Sequence, residues 1–292
     1  GKQLIKNLQR EQYEIIVLSR NIQKAQQVFG KEVINLQWDG KSGKGWAEYA
    51  DSAYGIINLA GENIGAGRWT PERKERIIKS RLFAGAAVVD AVKSVKRKPA
   101  VIVQASAIGC YGNRGEEVLD EKSATGTGFL AEVVRQWEAS TEELKAMVER
   151  LIIIRTAVVI GQDGGVLRRL IMPFRYYAGG TLGNGSQWFS WIYLEDQVSA
   201  IHYLLKNECE GIFNLCAPEP VRMKHVCKII SKIMQKPCWL HVPAFMLKLL
   251  MGQMADELLL TSQKVMPARL SEAGYKFVCK KIEDALKHSI LS

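Results

Sequence analysis

The stretch YGIINLAG (residues 54–61) decides the fold, because it joins a short apolar run to a turn of small residues. A run of this length and composition is typical of a buried β-strand, and the Ala and Gly that follow allow a ligand to approach the backbone closely. The pattern recurs in AVIVQASAIG (100–109) and LIIIRTAVVIG (151–161). The sequence therefore predicts a series of buried strands that end in small residues.

Helical segments separate these strands, and further strands flank them. The further strands are predicted at 13–20, 33–38 and 211–218, and helices at 3–9, 71–95 and 128–147. Buried strands that alternate with helices form βαβ units, in which a parallel sheet is covered on both faces. We predict an α/β fold with a Rossmann-like, doubly wound parallel sheet, whose ligands bind outside the carboxyl ends of the strands.

The second half of the chain has a different texture. GGTLGNGSQWFSWIY (179–193) is rich in Gly and aromatic residues and predicts loops around a substrate crevice, whereas 219–292 is mostly helical. We assign residues 1–165 to a dinucleotide-binding domain that is completed by 190–218. Residues 166–189 and 219–292 then form a smaller, mainly helical C-terminal domain on the substrate side.

The composition is that of a globular protein, with 47% hydrophobic and 24% charged residues in a chain of 292. Much of the net charge of +10 lies in RWTPERKERIIKSR (68–81) and KSVKRKP (93–99). Basic clusters attract polyanions, but these two indicate solvated faces, because no aromatic residues alternate with the charges as in a nucleic-acid site. We expect no nucleic-acid partner.

The cysteines and the apolar runs indicate the cellular compartment in which we expect the protein. The six cysteines are scattered without a Cys-x-x-Cys pair, which argues against a zinc site or a disulfide framework and favours a reducing compartment. The apolar runs are too short to span a bilayer. We expect a cytoplasmic location, no metal site and no membrane partner.

Ser19 and Arg20 end the predicted strand 13–20. In dinucleotide-binding folds, an acidic residue at the end of the second strand binds the ribose of NAD, whereas an Arg there accommodates the additional phosphate of NADP. A guanidinium matches phosphate oxygens, and a neighbouring hydroxyl adds a donor. The pair favours NADP(H) as the cofactor, and the alternative is an ordinary surface arginine.

This interpretation requires a phosphate-binding turn upstream of the helix 3–9. A Rossmann chain has a first strand, a Gly-rich turn, a helix and then the second strand. Gly1 stands where the last glycine of that turn belongs, so we expect it to contact the cofactor. We also expect the first strand and the remainder of the turn to precede Gly1.

Two strand ends, NLAGEN (58–63) and QASAIGCYG (104–112), give the sequence a specific resemblance. It resembles the extended short-chain dehydrogenases/reductases, which are NAD(P)-dependent epimerases, dehydratases and reductases. NLAGENIGAGRWTPERKERIIKSR (58–81) and PAFMLKLLMGQMADELLLTSQKVMPARLSEAGYKF (243–277) are similar to an epimerase-like subfamily with a small C-terminal domain of unknown function, some members of which carry a cell-division-inhibitor label.

The resemblance implies roles for individual residues. It implies that Ser19 and Arg20 hold the adenosine 2′-phosphate, that Arg81 lies near the phosphates, and that the strand carrying Thr156 passes the nicotinamide. Residues implied to line the cofactor are Leu59, Ala60 and Gly61. Trp191 and Asp196, in SWIYLEDQV (190–198), are substrate-crevice candidates, and the alternatives are core packing for Trp191 and a helix N-cap for Asp196.

The catalytic pattern of the superfamily is incomplete in this sequence. Its members use a Ser or Thr, together with a Tyr that acts as acid or base and a Lys four residues later that lowers the pKa of the Tyr. Ser106 fits the Ser position, but Phe129 and Val133 stand where the Tyr and Lys belong. Tyr111 is the candidate catalytic acid, with a loop or packing role as the alternative, and Glu132 or Arg135 is the candidate to supply a charge.

Two function classes therefore stay open. The first is an NADP-dependent oxidoreductase or epimerase that acts on a nucleotide-sugar-like or small carbonyl substrate. The second is a non-catalytic NADP(H)-binding sensor or scaffold, which the absent Tyr and Lys favour. The helices at 71–95 and 128–147 are the candidate interface of a homodimer.

Overall fold

The computed structural model describes residues 1–30, 32–162 and 165–291. The strands are β1 (Ile16–Ser19), β2 (Ile34–Gln37), β3 (Gly55–Asn58), β4 (Val101–Ala107), β5 (Val118–Leu119), β6 (Arg150–Thr156), β7 (Val158–Ile160), β8 (Gly179–Leu182), β9 (Trp188–Phe189), β10 (Trp191–Tyr193), β11 (Gly211–Leu215), β12 (Val221–Arg222), β13 (Cys238–Val242) and β14 (Lys264–Val265). The helices are α1 (Lys2–Arg10), α2 (Ile22–Phe29), α3 (Pro71–Ser94), α4 (Phe129–Ala139), α5 (Gly165–Arg175), α6 (Leu194–Lys206), α7 (Met223–Met234), α8 (Ala244–Met251), α9 (Gln253–Leu258), α10 (Ala268–Glu272) and α11 (Ile282–Leu291).

A parallel sheet of order β11-β6-β4-β3 forms the centre of the fold. Successive side chains of a strand point to opposite faces, and β4 shows this directly. Val101 and Val103 pack with α1 and α6, whereas Ile102 packs with the apolar side of α3. Burial of such a side chain stabilises the fold by about 1.5–3 kcal/mol. Helices cover both faces of the sheet, which confirms the predicted architecture.

The N-terminal strands form a second parallel pair. β1 pairs with β2, with Val17 opposite Asn35. Among the described residues, this pair shares no strand pairing with β3. Leu4 and Leu8 of α1 are buried in the core between the central sheet and α6, which places α1 beside the sheet as the helix-then-strand prediction requires.

The prediction of one strand over 151–161 was wrong in its extent. The chain leaves the central sheet after β6 and continues as β7, which pairs with β10 instead. Ala157 lies between the two strands, and its N–H donates to the Leu215 carbonyl at 3.0 Å. One apolar run therefore serves two sheets, and its sequence does not mark the break.

The stretch 179–193, predicted as loops, contains β8, β9 and β10. Its partners are far away in the sequence: β8 pairs with β13 and β9 with β12. Gly180 is required by close packing, since a Cβ there would stand 2.2 Å from the Leu240 carbonyl oxygen. The glycines that suggested loops instead allow two strands to approach.

A further core lies among α5, α7 and α11, where Phe174, Trp191, Ile230 and Leu286 are buried together. The mainly helical C-terminal prediction is confirmed by α7 to α11. The helix predicted at 128–147 ends earlier, at Ala139, and is followed by a separate 3-10 turn. In the three described segments, we find no helix with the length and apolar character needed to cross a membrane.

Candidate functional site

A cleft of about 640 Å³ opens at the carboxyl ends of β1, β2 and β3. We call it the strand-end cleft. The residues that line it come from these strand ends and from one side of α3: Leu18, Ser19, Arg20, Trp38, Asp39, Gly40, Lys41, Leu59, Ala60, Gly61, Glu62, Glu75, Arg76, Lys79, Ser80 and Phe83. The structure thus brings together Ser19, Arg20 and the three residues of the small-residue turn, as the sequence predicted.

Arg20 is held by its backbone and leaves its side chain available. Its carbonyl accepts a hydrogen bond from Gln37 Nε2 at 2.8 Å, which ties the end of β1 to the end of β2. Ser19 Oγ forms a local turn with the backbone of Asn21. The Arg20 guanidinium makes no hydrogen bond or ion pair with any described residue, so its donors are available to an anion.

Asp39, which follows β2, is occupied by its own loop. Its carboxylate accepts hydrogen bonds from Lys41 N at 2.7 Å, Ser42 N at 2.9 Å and Ser42 Oγ at 2.8 Å. These bonds, led by the one from Lys41, hold the pKa of Asp39 below its usual value. The loop fixes Lys41, whose Nζ lies 5.8 Å from the centre of the Phe83 ring. Sequence reasoning missed Lys41, because it lies in a loop without a recognisable motif.

The charges of the strand-end cleft favour an anionic ligand. Its carboxylates are engaged within the protein, since Glu75 pairs with Lys79 at 2.6 Å and Glu62 pairs with Arg73 at 3.4 Å. Arg20, Lys41 and Arg76 form no ion pair within the described segments. Unpaired cations in a concave site raise the local concentration of negatively charged ligands.

The turn after β3 is fixed from two sides. Asn58 Oδ1 accepts from Ala60 N at 3.2 Å, and Asn58 Nδ2 donates to Gln104 Oε1 at 2.9 Å. A Cβ on Gly61 would stand 3.2 Å from the Arg81 guanidinium carbon. The glycine therefore lets the turn rest directly on Arg81.

Arg81 lies beneath this turn and does not line the strand-end cleft. Its Nη1 donates to the carbonyls of Glu62 at 3.2 Å and Ile77 at 3.0 Å, and its guanidinium lies 4.8 Å from the centre of the Trp137 ring. Burial lowers the pKa of Arg81 to about 10. Arg81 therefore supports the turn through Nη1, and its position near the cofactor phosphates stays a prediction.

Gly1 and Thr156 also lie outside the strand-end cleft. Gly1 precedes α1, and its carbonyl accepts from Ile5 N at 3.0 Å in the first turn of that helix. Thr156 ends β6, where its hydroxyl accepts a hydrogen bond from Gln197 Nε2 at 3.2 Å. Their contacts with a cofactor stay predictions.

Ser106 and Tyr111 belong to an interior network. Ser106 Oγ donates to Glu138 at 2.5 Å, and Arg155 binds the same carboxylate through two nitrogens, at 2.8 and 2.9 Å. The Tyr111 hydroxyl accepts from Arg155 at 3.2 Å and lies 2.8 Å from Asn214 Oδ1. We call these five residues the interior network.

The interior network gives Ser106 and Tyr111 partners within the protein, and their catalytic roles stay predictions. Ser106 is 4% exposed and Tyr111 is 0% exposed, so neither side chain offers a surface to a substrate. Burial raises the pKa of the Tyr111 phenol, which further opposes proton release. Ser106 and Tyr111 fit the sequence motif because they follow a strand end of the expected kind. Their polar atoms, however, form hydrogen bonds within the protein itself.

Phe129 and Val133 lie in an apolar cluster. Val133 is buried with Trp69, Ile77 and Met254, and the Phe129 ring packs edge-on against Trp69 at 4.9 Å between centroids. Glu132 and Arg135, the charged residues nearby in sequence, pair with each other on the surface of α4. We call Trp69, Ile77, Phe129, Val133 and Met254 the apolar cluster.

Glu257 of α9 caps the helix that begins at Phe129. Its carboxylate accepts from Phe129 N at 2.9 Å and from Leu130 N at 2.7 Å. The first N–H groups of a helix lack partners within the helix, and a carboxylate there is also stabilised by the helix dipole. Sequence reasoning missed this contact because the cap comes from a residue far along the chain.

Trp191 and Asp196 are both buried, and their substrate contacts stay predictions. Trp191 is fully buried, and its indole N–H donates to the Glu219 carbonyl at 3.1 Å. Asp196 is equally buried, and its carboxylate accepts from Val278 N at 2.7 Å and Cys279 N at 2.9 Å. Asp196 is not the N-cap of α6 and instead ties α6 to the segment before α11.

Comparison with known families decides the relationship. The model of the NAD dependent epimerase/dehydratase family matches residues 1–216. The chain belongs to the NAD dependent epimerase/dehydratase family. A second family model, for a domain of unknown function (DUF1731), matches residues 242–289. The resemblance drawn from the strand-end motifs and the C-terminal signature is thereby confirmed.

Relatives in this epimerase family span nearly the whole chain. The chain is 39% identical to "Epimerase family protein SDR39U1 homolog, chloroplastic" of Arabidopsis thaliana, over 98% of this chain and 82% of the relative. It is 35% identical to "Epimerase family protein YfhF" of Bacillus subtilis, over 99% and 94%. The crystal structure of the human epimerase family protein SDR39U1 with NADPH superposes with a TM-score of 0.85 at 25% identity, over 99% of this chain and 95% of that chain. The Rossmann-like fold is confirmed.

Proposed function

We propose that this member of the epimerase family binds NADP(H), with the adenosine 2′-phosphate held by Arg20 in the strand-end cleft. The observation that carries the proposal is the unpaired Arg20 guanidinium at the carboxyl end of β1. A ribose that lacks the phosphate would instead be matched by a carboxylate at this point. Asp39 does not supply one, since its oxygens are engaged by Lys41 and Ser42.

The other residues of the strand-end cleft fit a dinucleotide. Leu59 and Phe83 present apolar surface, at 39% and 38% exposure, that suits a flat base. The turn at Ala60 and Gly61 has little side-chain bulk and allows close approach. The human relative was crystallised with NADPH, which supports the same cofactor here. Bound NADP(H) would supply or accept a hydride.

The affinity for NADPH and NADH tests this assignment. A charge-assisted hydrogen-bonded contact contributes about 1.5–3 kcal/mol, so Arg20→Ala should weaken NADPH binding by about 10–100-fold and leave NADH unchanged. Arg20→Lys keeps the charge without the fork and should give an intermediate value. Isothermal titration calorimetry measures both.

Arg10→Ala is the matched control, because Arg10 is an exposed arginine at the end of α1. It should bind both nucleotides as the wild type does. Equal affinity of the wild type for NADPH and NADH, or an equal loss of both in Arg20→Ala, would overturn the assignment.

The apolar cluster favours a non-catalytic role, as a sensor or scaffold that binds NADP(H) without turnover. Phe129 and Val133 carry no transferable proton, and Ser106 and Tyr111 are sealed in the interior network. The alternative is an oxidoreductase or epimerase for a nucleotide-sugar-like or small carbonyl substrate. That alternative requires a proton donor other than these four residues.

Deuterium transfer separates the two roles. We expect no transfer from 4-deuterated NADPH to aldehydes, ketones or nucleotide sugars, and no exchange at the sugar carbons. Detection of labelled product by mass spectrometry, in wild type but not in Arg20→Ala at limiting NADPH, would establish turnover and end the sensor assignment.

A further inference from the structure

Helix α8 exposes an unusual amount of apolar surface. Phe245, Leu249 and Leu250 are 69%, 75% and 68% exposed, and Met246 is 44% exposed. Leu247 is the one residue of the helix that is classed as buried. We call Phe245, Met246, Leu249 and Leu250 the α8 patch. Single exposed apolar residues are normal on a protein surface, whereas a contiguous group marks a contact site.

The α8 patch is a continuous strip along the helix. Phe245 and Leu249 are four residues apart, as are Met246 and Leu250, and residues at this spacing are neighbours on a helix surface. The two pairs therefore form adjacent rows. Lys248 borders the strip and pairs with Asp256 of α9 at 2.8 Å. On β13, just before α8, Trp239 is also 69% exposed.

The segment 220–255, which includes the patch, carries basic residues and no acidic ones. Residues 220–255 contain no Asp or Glu and contain Arg222, Lys224, Lys228, Lys232, Lys236 and Lys248. Lys224, Lys228 and Lys232 are exposed on successive turns of α7. The segment 220–255 therefore combines exposed apolar side chains on α8 with exposed lysines on α7.

We propose that α8 attaches the protein reversibly to an anionic lipid surface. An interfacial helix places its apolar face at the boundary of headgroups and acyl chains, and neighbouring lysines attract acidic headgroups. Phe245, Leu249 and Leu250 supply the apolar contact, and the lysines of α7 supply the attraction. The attachment is weak because the helix is short, and it depends on both contributions.

The charge favours lipid over a second copy of the chain. Two α8 patches brought together would also bring together two basic regions, and the whole chain carries a net charge of +10. Like charges at an interface oppose association, whereas an acidic bilayer is attracted. The expectation of no membrane partner rested on the lack of a spanning segment, and a helix that lies in the interface needs none.

Vesicle co-sedimentation tests the proposal. The full chain is mixed with phosphatidylcholine vesicles that contain no acidic lipid, or about 30% phosphatidylglycerol. We expect binding to the acidic vesicles and at least about tenfold weaker partitioning to the neutral ones. Binding should also fall as salt is raised, because salt screens exposed charges.

Variants separate the two contributions. Phe245→Ala/Leu249→Ala/Leu250→Ala should lower partitioning by at least about tenfold, and Lys228→Glu/Lys232→Glu should lower it for acidic vesicles alone. The control is Val278→Ala/Leu291→Ala, since Val278 and Leu291 are also exposed, at 64% and 71%, and it should bind as the wild type does. Circular dichroism checks that each variant is folded.

Three results would overturn the proposal: no binding to acidic vesicles, equal binding to both kinds of vesicle, or equal loss in the triple variant and its control. A dimer in solution, measured by light scattering and abolished by the triple variant alone, would assign the α8 patch to a second copy instead.

Discussion

Two arginines at the ends of different strands have opposite surroundings. Arg20, directly after β1, points unpaired guanidinium donors into the strand-end cleft. Arg155, near the end of β6, is 4% exposed and donates hydrogen bonds from two nitrogens to the Glu138 carboxylate. The comparison teaches that a polar residue at a strand end serves a ligand only where the protein leaves it unsatisfied.

A similar contrast separates the strand-end cleft from the apolar cluster and the interior network. The strand-end cleft keeps cations open to an anion, while the apolar cluster and the interior network use their side chains on one another. The proposed binding of NADP(H) therefore rests on residues other than those predicted for proton transfer. Substitutions in the apolar cluster, in the interior network and at the cap on α4 test this difference.

Val133→Lys should be the most damaging change. Restoring the lysine of the superfamily would place a cation among Trp69, Ile77 and Met254, and burial of an unpaired lysine shifts its pKa by up to 3–5 units. A shift of roughly four units corresponds to about 5 kcal/mol of unfolding free energy. Urea denaturation monitored by fluorescence measures it.

Val278→Lys is the matched control, since Val278 is 64% exposed, and it should change the unfolding free energy by less than about 0.5 kcal/mol. If Val133→Lys were equally mild, the apolar cluster would be open to water and the separation would fail.

Arg155→Ala should lower the unfolding free energy by about 3–4 kcal/mol, because it leaves the Glu138 carboxylate without its partner in a low-dielectric interior. The same urea titration measures it. Arg97→Ala removes an exposed partner of Asp51 and should cost about 1 kcal/mol or less. Similar values for the two would show that the interior network is solvated and therefore reachable by a substrate.

Glu257→Ala should cost about 1–2 kcal/mol through loss of the cap on α4. Hydrogen exchange should rise at Phe129 and Leu130, whose amides the carboxylate binds. Asp256→Ala removes a neighbouring exposed carboxylate and should leave exchange at these amides unchanged. Unaltered exchange in Glu257→Ala would mean that the C-terminal domain does not position the helix.

Phe129→Tyr should have the smallest effect on stability, below about 1 kcal/mol. Lys74 Nζ lies 5.1 Å from the centre of the Phe129 ring, so the introduced phenol should titrate below its usual pKa of about 10. Difference absorbance against the wild type follows the titration. A phenol that titrates at or above its usual pKa would show that the apolar cluster, rather than Lys74, controls this position.

The sequence was sufficient for the sheet and for part of the site. Apolar runs predicted β1 to β4, of which β4 is buried along nearly its whole length and β1 to β3 are mostly half-buried. The position of Arg20 after β1, in the strand-end cleft, was predicted as well. The break at Ala157 was not predicted, since the polar residues Arg155 and Thr156 lie within β6 and the apolar run resumes directly after them. Likewise, the glycines at 179 and 180 resemble loop residues until their distant partner strand is known.

Four of the predicted site residues have partners within the protein that the sequence does not reveal. Ser106, Tyr111, Trp191 and Asp196 have the right residue type at the right place along the chain. Whether their polar atoms face a ligand depends on partners such as Glu138, Glu219 and Val278, which only tertiary structure supplies. Lys41 and Glu257 were missed because no motif marks them and their contacts, too, are supplied only by the tertiary structure.

The cap on α4 also bears on how the chain folds during synthesis. Glu257 completes a helix that begins at Phe129, so a nascent chain must wait for more than a hundred further residues before this helix end is satisfied. Domains generally fold as units while the chain emerges, and contacts between distant residues slow that process. Until α9 has been synthesised, the first amides of α4 lack Glu257 and the apolar cluster lacks Met254, so this helix end is completed late.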